Sequence, residues 1–316
     1  MSGSASLAVS VAGLLFQNPV VLAAGTAGYG HELAEVMNLG ALGGLVTKCV
    51  SPLPRAGAPA PRVAEFDGGM INAVGLANPG VDTVCREHLP WLARSLPRTR
   101  KIANIVGFAV AEYADVIERL EASVVKENIG AIDAHELNVS CPNVKAGGME
   151  FGADAVALAE VVSRARAATM RPLFVKLSPT LPDIARSAQV AVDAGADAIT
   201  LVNTIPGLVI ELRSRQPALG FGTGGVSGAA LLPVGVLATW KVRRAVSVPL
   251  FGIGGVSSAD DALQYILAGA SLVGMGTAAL RDPRAPGRVV DGLARWCARE
   301  RVSRLADLVG TVEMRT

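Results

Sequence analysis

Short apolar, β-branched runs bounded by Gly, Pro or a polar residue recur along the chain, and most are followed by apolar positions with helical spacing. Such runs are typical of buried parallel strands. Eight are predicted as strands: Val20–Ala24, Gly44–Thr47, Ile102–Ile105, Glu136–Val139, Leu173–Leu177, Ala198–Val202, Leu250–Ile253 and Leu272–Met275. The helical patterns cover Glu32–Met37, Ala111–Lys126, Asp154–Ala168, Pro182–Ala194, Val234–Ala245 and Ser258–Ala268, with a further amphipathic helix in the tail Ala285–Thr316.

The alternation of strand and helix predicts an α/β fold with a parallel sheet. Eight such units favour a closed TIM (β/α)8 barrel, and an open doubly wound sheet is the alternative. A short hairpin over Leu7–Val11 and Gly13–Phe16 precedes the first strand. Because α/β barrels of roughly 250 residues or more form one domain, residues 1–316 are expected to form a single domain.

Three connections are longer than an ordinary loop. They are Ser51–Arg100, Ser140–Gly152 and Thr204–Pro233, and each follows a predicted strand. In a parallel barrel, these connections leave the carboxyl ends of the strands, where active sites gather. We therefore expect them to form lids and ligand walls rather than separate domains.

Composition excludes several classes of function. A net charge of +2 and an aromatic content of 4% argue against a nucleic-acid surface. No apolar run reaches the roughly 18 residues of a membrane span, and no basic segment marks a signal peptide. The four cysteines lack CxxC spacing, which argues against a metal site and fits a reducing cytoplasm.

Polar residues follow or interrupt several of the predicted strands. Lys48 follows the second strand and Lys176 lies inside the fifth, with no carboxylate in either segment. A buried lysine must find a partner or lose its charge. One lysine of this kind is often part of a structural ion pair, but two at the same face favour an anionic ligand.

Glycines follow the last two strands, as Gly254-Gly255 and Gly276-Thr277. Barrels commonly bind phosphate there through bare backbone N–H groups, although ordinary turns also use glycine. Residues 220–225 match G-x-G-x-x-G, but they neither follow a predicted strand nor open a βαβ unit. This segment is therefore predicted to be a flexible loop, and a mononucleotide-like cofactor is favoured over a dinucleotide bound to this chain.

The stretch from Asn138 to Asn143 places two carboxamides around the thiol of Cys141. Carboxamides can hold the edge of a planar polar ligand, and a positioned thiol can act as a base or nucleophile. A strand end with a Pro-Asn turn and a buried structural cysteine explains the same residues. The three histidines form no cluster in the sequence, and His31 and His88 are predicted to lie in a helix start and a surface helix.

These segments together resemble the class 1 dihydroorotate dehydrogenases over nearly the whole chain. The matching segments are 24–30 (AGTAGYG), 61–62 (PR), 72–80 (NAVGLANPG), 136–143 (ELNVSCPN), 175–179 (VKLSP), 195–197 (GAD), 203–204 (NT), 224–228 (GGVSG), 254–255 (GG) and 276–278 (GTA). The family fold is a TIM barrel that carries FMN.

The resemblance implies the oxidation of dihydroorotate to orotate in pyrimidine biosynthesis. By analogy, Cys141 is the base that removes the C5 proton, while hydride passes from C6 to the flavin. Lys176 would neutralise the charge that builds on the reduced flavin. The implied substrate-binding residues are Lys48, Asn72, Gly75, Leu76, Asn138, Asn143, Asn203 and Thr204. The implied cofactor-binding residues are Ala24, Gly25, Lys48, Cys49, Asn104, Asn138, Lys176, Val202, Gly228, Gly254, Gly255, Gly276 and Thr277.

The stretch 203–208 (NTIPGL) is similar to subclass B, whose members pair with an iron–sulfur FAD subunit that passes electrons to NAD. A homodimer is also expected. The chain departs from the usual pattern at Cys49, where Ser or Thr is common, and at Thr180, where Asn is usual. A weak S–H donor at position 49 is expected to weaken a contact with FMN. The alternatives are a fumarate-dependent subclass A enzyme, a dihydropyrimidine dehydrogenase-like flavoenzyme and a non-catalytic FMN- or phosphate-binding barrel.

Overall fold

A closed barrel of eight parallel strands forms the centre of the protein. The computed structural model describes residues 5–127, 130–140, 142–143 and 149–314. The eighth strand pairs with the first through Val273 and Val20, so the sheet closes and the alternative of an open sheet is wrong. The barrel strands, numbered one to eight, are Val20–Leu22, Gly44–Val46, Arg100–Ile105, Ala134–Asn138, Leu173–Leu177, Ala198–Leu201, Leu250–Ile253 and Ala270–Met275.

Helices surround the barrel. In the helix Val110–Glu127, the buried residues Val116, Ile117 and Leu120 recur at the spacing of one helix face. Ser258 and Asp261 form a capping box at the start of the helix Ala259–Ala268. The other long helices are Ala155–Ala167, Ile184–Asp193, Leu232–Arg243, Ala259–Ala268 and Ala285–Glu300. Shorter helical segments are His31–Ala34, Leu39–Ala41, Val81–Thr83, Val84–His88, Leu89–Ser95, Phe151–Ala153, Ala229–Leu231, Thr277–Arg281 and Leu305–Leu308.

The predicted amino-terminal hairpin is present as Val9–Val11 and Leu14–Phe16. Val9, Val11 and Phe16 share one buried cluster with residues of the barrel strands, among them Phe174 and Phe251. The hairpin therefore contributes apolar side chains to the barrel interior. The backbone N–H of Ser6 donates to the Ser303 carbonyl at 2.9 Å, so the amino-terminal segment is bound to a residue near the carboxyl end of the chain.

Two of the long connections meet in a second, four-stranded antiparallel sheet. Its strands, in spatial order, are Ile205–Gly207, Gly224–Ser227, Gly69–Asn72 and Val63–Phe66. The prediction of a flexible loop over residues 220–225 is therefore wrong at Gly224 and Gly225. A Cβ on Gly225 would lie 2.1 Å from Thr204 Oγ1, so only glycine allows this close approach. Two further pairs are Pro142–Asn143 with Met149–Glu150 and Ile210–Glu211 with Gln216–Pro217.

Charged groups near the amino ends of the barrel strands have partners within the protein. Lys101, which is 4% exposed, donates to the Leu96 carbonyl at 3.1 Å and lies 3.4 Å from Asp133. Asp133 also accepts from Arg100 at 2.8 Å. Such pairing offsets the desolvation of buried charge.

A second network in this region connects a helix to the fourth barrel strand. Glu121 accepts from Thr169 at 2.6 Å and from Arg171 at 3.0 Å, and its Oε1 lies 2.9 Å from His135 Nε2. Burial lowers the pKa of His135, so the neutral ring donates to the carboxylate. Although burial raises the pKa of Glu121, hydrogen bonds from His135 and Thr169 lower it to about 2.

Within the ranges given above, no helix is both long enough and apolar enough to cross a membrane.

Candidate active site

A cavity of about 1070 Å³ lies at the carboxyl ends of the barrel strands. Every predicted site residue lines it except Cys141 and Asn143. Cys141 lies outside the described residues, and Asn143 is described only through the backbone of the strand Pro142–Asn143. The residues of the cavity wall come from all parts of the chain: Ala24, Gly25, Lys48, Cys49, Asn72, Gly75, Leu76, Asn104, Asn138, Lys176, Val202, Asn203, Thr204, Gly228, Gly254, Gly255, Gly276 and Thr277.

A second hollow of about 650 Å³ adjoins this cavity. The two share several lining residues, including Asn203, Thr204 and Ser140. Its outer wall includes Gly224 and Gly225 of the second sheet. The Ser140 hydroxyl is enclosed and has no hydrogen-bond partner among the residues that the structure describes. Because an unpaired buried hydroxyl is costly, the site has a polar group left over for a ligand next to position 141.

Lys176 lies in the fifth barrel strand with its side chain at the cavity. In register, it pairs with Asn138 on one side and Thr200 on the other. The residue is only 7% exposed, yet no described carboxylate or carbonyl lies within hydrogen-bonding distance of its ammonium group. A buried ammonium needs a compensating partner. A bound anionic or strongly polar ligand would provide it.

A chain of hydrogen bonds links three barrel strands beside the cavity. Glu136 is fully buried, and its two oxygens accept from Asn104 Nδ2 at 2.8 Å and from Thr200 Oγ1 at 2.9 Å. Asn104 lines the cavity, whereas Glu136 does not. The carboxylate therefore supports the wall from behind.

Carboxamides form one polar side of the cavity. Asn203 Nδ2 lies 3.4 Å from Asn138 Oδ1, and Asn203 Oδ1 accepts from the backbone of Thr204 at 2.8 Å. Asn72 Nδ2 donates to the Gly225 carbonyl at 3.2 Å, which fixes it in the second sheet. Three amides held at neighbouring positions can bind the edge of a flat ring that has both donors and acceptors.

The segment between Asn72 and Gly80 is held by Asn78. The side chain of Asn78 donates to the Leu76 carbonyl and to Ser51 Oγ, both at 2.8 Å, and accepts from the Gly80 backbone at 2.9 Å. Leu76 has a φ of 57°, which is uncommon for a residue other than glycine. Asn78 therefore holds Leu76 in this conformation at the cavity wall.

The Cys49 thiol points at the same carbonyl of Leu76, with a separation of 3.7 Å. Burial raises the pKa of Cys49 to about 11, so the thiol is protonated at neutral pH. Tyr29 donates to the Cys49 carbonyl at 3.2 Å from behind. The S–H group thus supports the wall segment, and its weakening effect on a flavin contact stays a prediction.

The far end of the cavity is built from backbone and hydroxyl groups. Gly255 has a φ of 75°, and a Cβ there would lie 2.6 Å from the Leu232 nitrogen. Tyr265 donates to the Gly254 carbonyl at 2.8 Å, and the hydroxyls of Thr277 and Ser227 lie 2.8 Å apart. Glycines at this end of a barrel leave room for a phosphate to approach the backbone.

Several residues of this region were not predicted. Glu136 and Thr200 were missed, although a charged residue within an apolar strand is the same signal that identified Lys176. Ser227, Arg281 and Arg288 also line the cavity. They do not directly follow a predicted strand, so the sequence did not identify them as site residues.

Two of the three histidines contact each other, which the sequence did not predict, whereas His135 lies apart from them beside Glu121. His88 Nδ1 lies 3.1 Å from His31 Nε2, and the rings of His31 and Trp91 are stacked. The predicted positions of His31 in a short helix and His88 in a helical segment are confirmed.

The chain has extensive similarity to known proteins. The sequence model of the dihydroorotate dehydrogenase family matches residues 6–296. A Pelobacter propionicus protein is 47% identical over 307 residues, which cover 97% of this chain and 98% of that protein. A Trichlorobacter lovleyi protein is 44% identical over 308 residues, with 98% and 99% covered, and a Geotalea uraniireducens protein is 43% identical over 310 residues, again with 98% and 99% covered. All three are named as the catalytic subunit of dihydroorotate dehydrogenase B (NAD(+)).

Proposed function

Because the chain belongs to the dihydroorotate dehydrogenase family, we propose that its barrel cavity is the site where dihydroorotate is oxidised to orotate in pyrimidine biosynthesis. The relatives place it in class 1, subclass B. The observation that carries the proposal is that residues from all eight strand ends or their loops converge on one cavity while Lys176 has no partner among the described groups. The cavity therefore has both the shape and the unsatisfied charge of a binding site.

We propose FMN as the resident cofactor. The fit rests on the glycines at one end of the cavity and on the polar groups of Lys176 and Asn104 at its wall. When bound, FMN would supply the acceptor for the hydride that leaves C6 of the substrate. Gly254, Gly255, Gly276 and Thr277 would hold the phosphate end. Lys176 would place its positive charge beside the ring, where negative charge accumulates on reduction.

The substrate would be held by charge at one end and by amides at the other. Lys48 lines the cavity and would bind the carboxylate, which favours dihydroorotate over a neutral pyrimidine such as uracil. Asn72, Asn138, Asn203 and Thr204 would bind the ring amides, together with Asn143. Cys141 would remove the C5 proton, and the enclosed hydroxyl of Ser140 lies next to it in sequence.

The working assembly is proposed to include a second subunit, since the relatives are named as catalytic subunits. We expect that partner to carry an iron–sulfur centre and FAD and to pass electrons to NAD+. We also propose that residues 1–316 form one domain, which the hydrogen bond between Ser6 and Ser303 supports. We further propose that this chain forms a homodimer and is located in the cytoplasm.

The decisive experiment uses the purified chain. Its visible spectrum should show bound flavin, and anaerobic dihydroorotate should bleach that spectrum. NAD+ should then reoxidise the flavin only when the partner subunit is added, whereas reoxidation by fumarate alone would indicate subclass A. A colourless chain that cannot be reconstituted with FMN would refute the proposal.

The role of Cys141 has its own test. The Cys141→Ser variant should bind FMN and orotate as the parent does but reduce the flavin slowly near neutral pH, because the serine hydroxyl is a far weaker acid than a thiol. Single-turnover reduction measured against pH is the readout. An unchanged rate would remove Cys141 from the mechanism.

A further inference from the structure

Glu136 is a fully buried carboxylate that the proposed mechanism does not use. Its partners, Asn104 and Thr200, come from the third and sixth barrel strands, and Glu136 itself lies in the fourth. We propose that Glu136 is a positioning residue that turns the carboxamide oxygen of Asn104 towards the cavity, so that the site binds an N–H donor there. The imide N–H of a flavin ring is a group of this chemistry. This inference rests on the proposed function.

The orientation of Asn104 follows from the chemistry of its partner. Asn104 Nδ2 donates to Glu136 Oε1 at 2.8 Å, so the amide nitrogen is the atom that faces the carboxyl group. The other carboxylate oxygen is already occupied by the Thr200 hydroxyl at 2.9 Å. If the amide turned over, its oxygen would face the carboxylate and both groups would lose a hydrogen bond.

The opposite side of the Asn104 amide faces the cavity. Asn104 is almost fully buried, and no described group donates a hydrogen bond to its Oδ1, although the residue lines the cavity. The backbone N–H of Asn104 donates to Thr47 Oγ1 at 3.2 Å, which fixes the residue at the strand end. The wall therefore presents a fixed acceptor, and its complement is a ligand N–H.

A charge exchange between the two residues tests this assignment. In Asn104→Asp, two carboxylates would face each other at hydrogen-bond distance, and we expect FMN affinity to fall at least about tenfold. In Glu136→Gln, the new side chain can face Asn104 with either its oxygen or its nitrogen, so the orientation of Asn104 is no longer fixed, and we expect FMN affinity to fall by less than in Asn104→Asp. In the double variant, the new amide at position 136 donates to the new carboxylate at position 104, and one oxygen of that carboxylate again faces the cavity. We expect this variant to regain FMN affinity to within about threefold of the parent.

The readouts are the dissociation constant for FMN, measured by reconstituting apoprotein, and the alkaline shift of the bound flavin's visible spectrum, which reports ionisation of the ring N–H. A charged acceptor opposite the N–H should move this shift to higher pH in the double variant than in the parent. If Glu136 only stabilised the fold, the pH of this spectral shift would be the same in the double variant as in the parent. The Glu121→Gln variant is the control, because it removes a half-buried, hydrogen-bonded carboxylate that does not line the cavity, and it should keep the FMN dissociation constant and the spectral shift of the parent.

The outcomes separate the two proposals. A folded double variant that fails to regain FMN, or whose spectral shift moves to lower pH, overturns the role of Glu136 while the parent still binds FMN. A parent that binds no flavin overturns the proposed function itself. Regained affinity together with the upward spectral shift supports the orientation of Asn104.

Discussion

The two ends of the barrel each contain a buried lysine, but only the lysine at the amino end has partners among the described residues. Lys101, at the start of the third strand, donates to Leu96 and lies beside Asp133. Lys176, near the end of the fifth strand, is similarly buried but has no partner among the described residues. The first lysine belongs to a closed network that the fold satisfies by itself. The second lysine needs a bound ligand as its partner. This difference distinguishes a lysine that stabilises the fold from a lysine that binds a ligand.

The same contrast occurs between adjacent residues of one strand. His135 points outward to Glu121 on a surrounding helix, whereas Glu136 points inward to Asn104 and Thr200. Side chains alternate along a strand, so one residue serves the outer layer and the next serves the barrel interior. Neighbours in sequence can therefore differ completely in what their substitution disturbs.

The largest effect is expected at Lys176. Lys176→Met keeps the volume but removes the positive charge beside the proposed flavin, so reduction by dihydroorotate should slow by about 10²- to 10³-fold. Because the charge has no described partner, thermal stability should hold or rise. Stopped-flow reduction and calorimetry measure the two quantities. A normal rate of flavin reduction at normal flavin content would show that Lys176 does not have the binding role that distinguishes it from Lys101.

The matched substitution at the other end should have the reverse result. Lys101→Met removes one partner of Asp133, which keeps Arg100. The loss should cost about 1–3 kcal/mol of unfolding free energy, with flavin content and reduction rate unchanged. Chemical denaturation gives the first value and stopped-flow reduction the second. A drop in activity without a drop in stability would contradict this prediction.

Acid should weaken the protein through the network of Glu121 and His135. The folded-state pKa of His135 is lowered from its ordinary 6.5 by burial, so the unfolded chain takes up this proton first and stability falls as the pH drops below 6.5. The folded-state pKa of Glu121 is about 2 against an ordinary 4.5, so further stability is lost between these two values. Denaturation of the parent and of Glu121→Gln across this range should show a shallower decline in the variant below pH 4.5. Parallel curves would exclude Glu121 from the effect.

The smallest effect is expected at Cys49. Cys49→Ser replaces a weak S–H donor to Leu76 by a hydroxyl, which should change FMN or orotate affinity by at most about 1 kcal/mol. Since the pKa of Cys49 is raised to about 11, iodoacetamide should modify it slowly at neutral pH in the parent. Titration of both ligands and mass spectrometry check these points. Rapid alkylation at Cys49 would contradict its raised pKa.

Much of the barrel could be predicted because its signals are local. The fifth and seventh strands match their predicted bounds, and the helix Ala259–Ala268 begins where Ser258 and Asp261 mark a cap. The positions of Lys48 and Lys176 near strand ends were sufficient to place them at one cavity, since parallel strands all end on the same face.

The second sheet could not be predicted, because its pairing depends on residues far apart in sequence. Asn72 pairs with Gly225, and nothing local in either glycine-rich segment indicates a strand. The contact of His31 with His88 depends equally on long-range packing. Glu136 could have been predicted from its place in an apolar run, but its partners on two other strands could not.

The closure of the first barrel strand against the eighth has a consequence during synthesis. Val20 emerges from the ribosome early, yet its partner Val273 is made only after most of the chain. Until then the nascent sheet has two open edges, which are prone to pair with other chains. Cofactor loading should therefore follow translation, and a molecular chaperone that shields those edges would raise the yield of active protein.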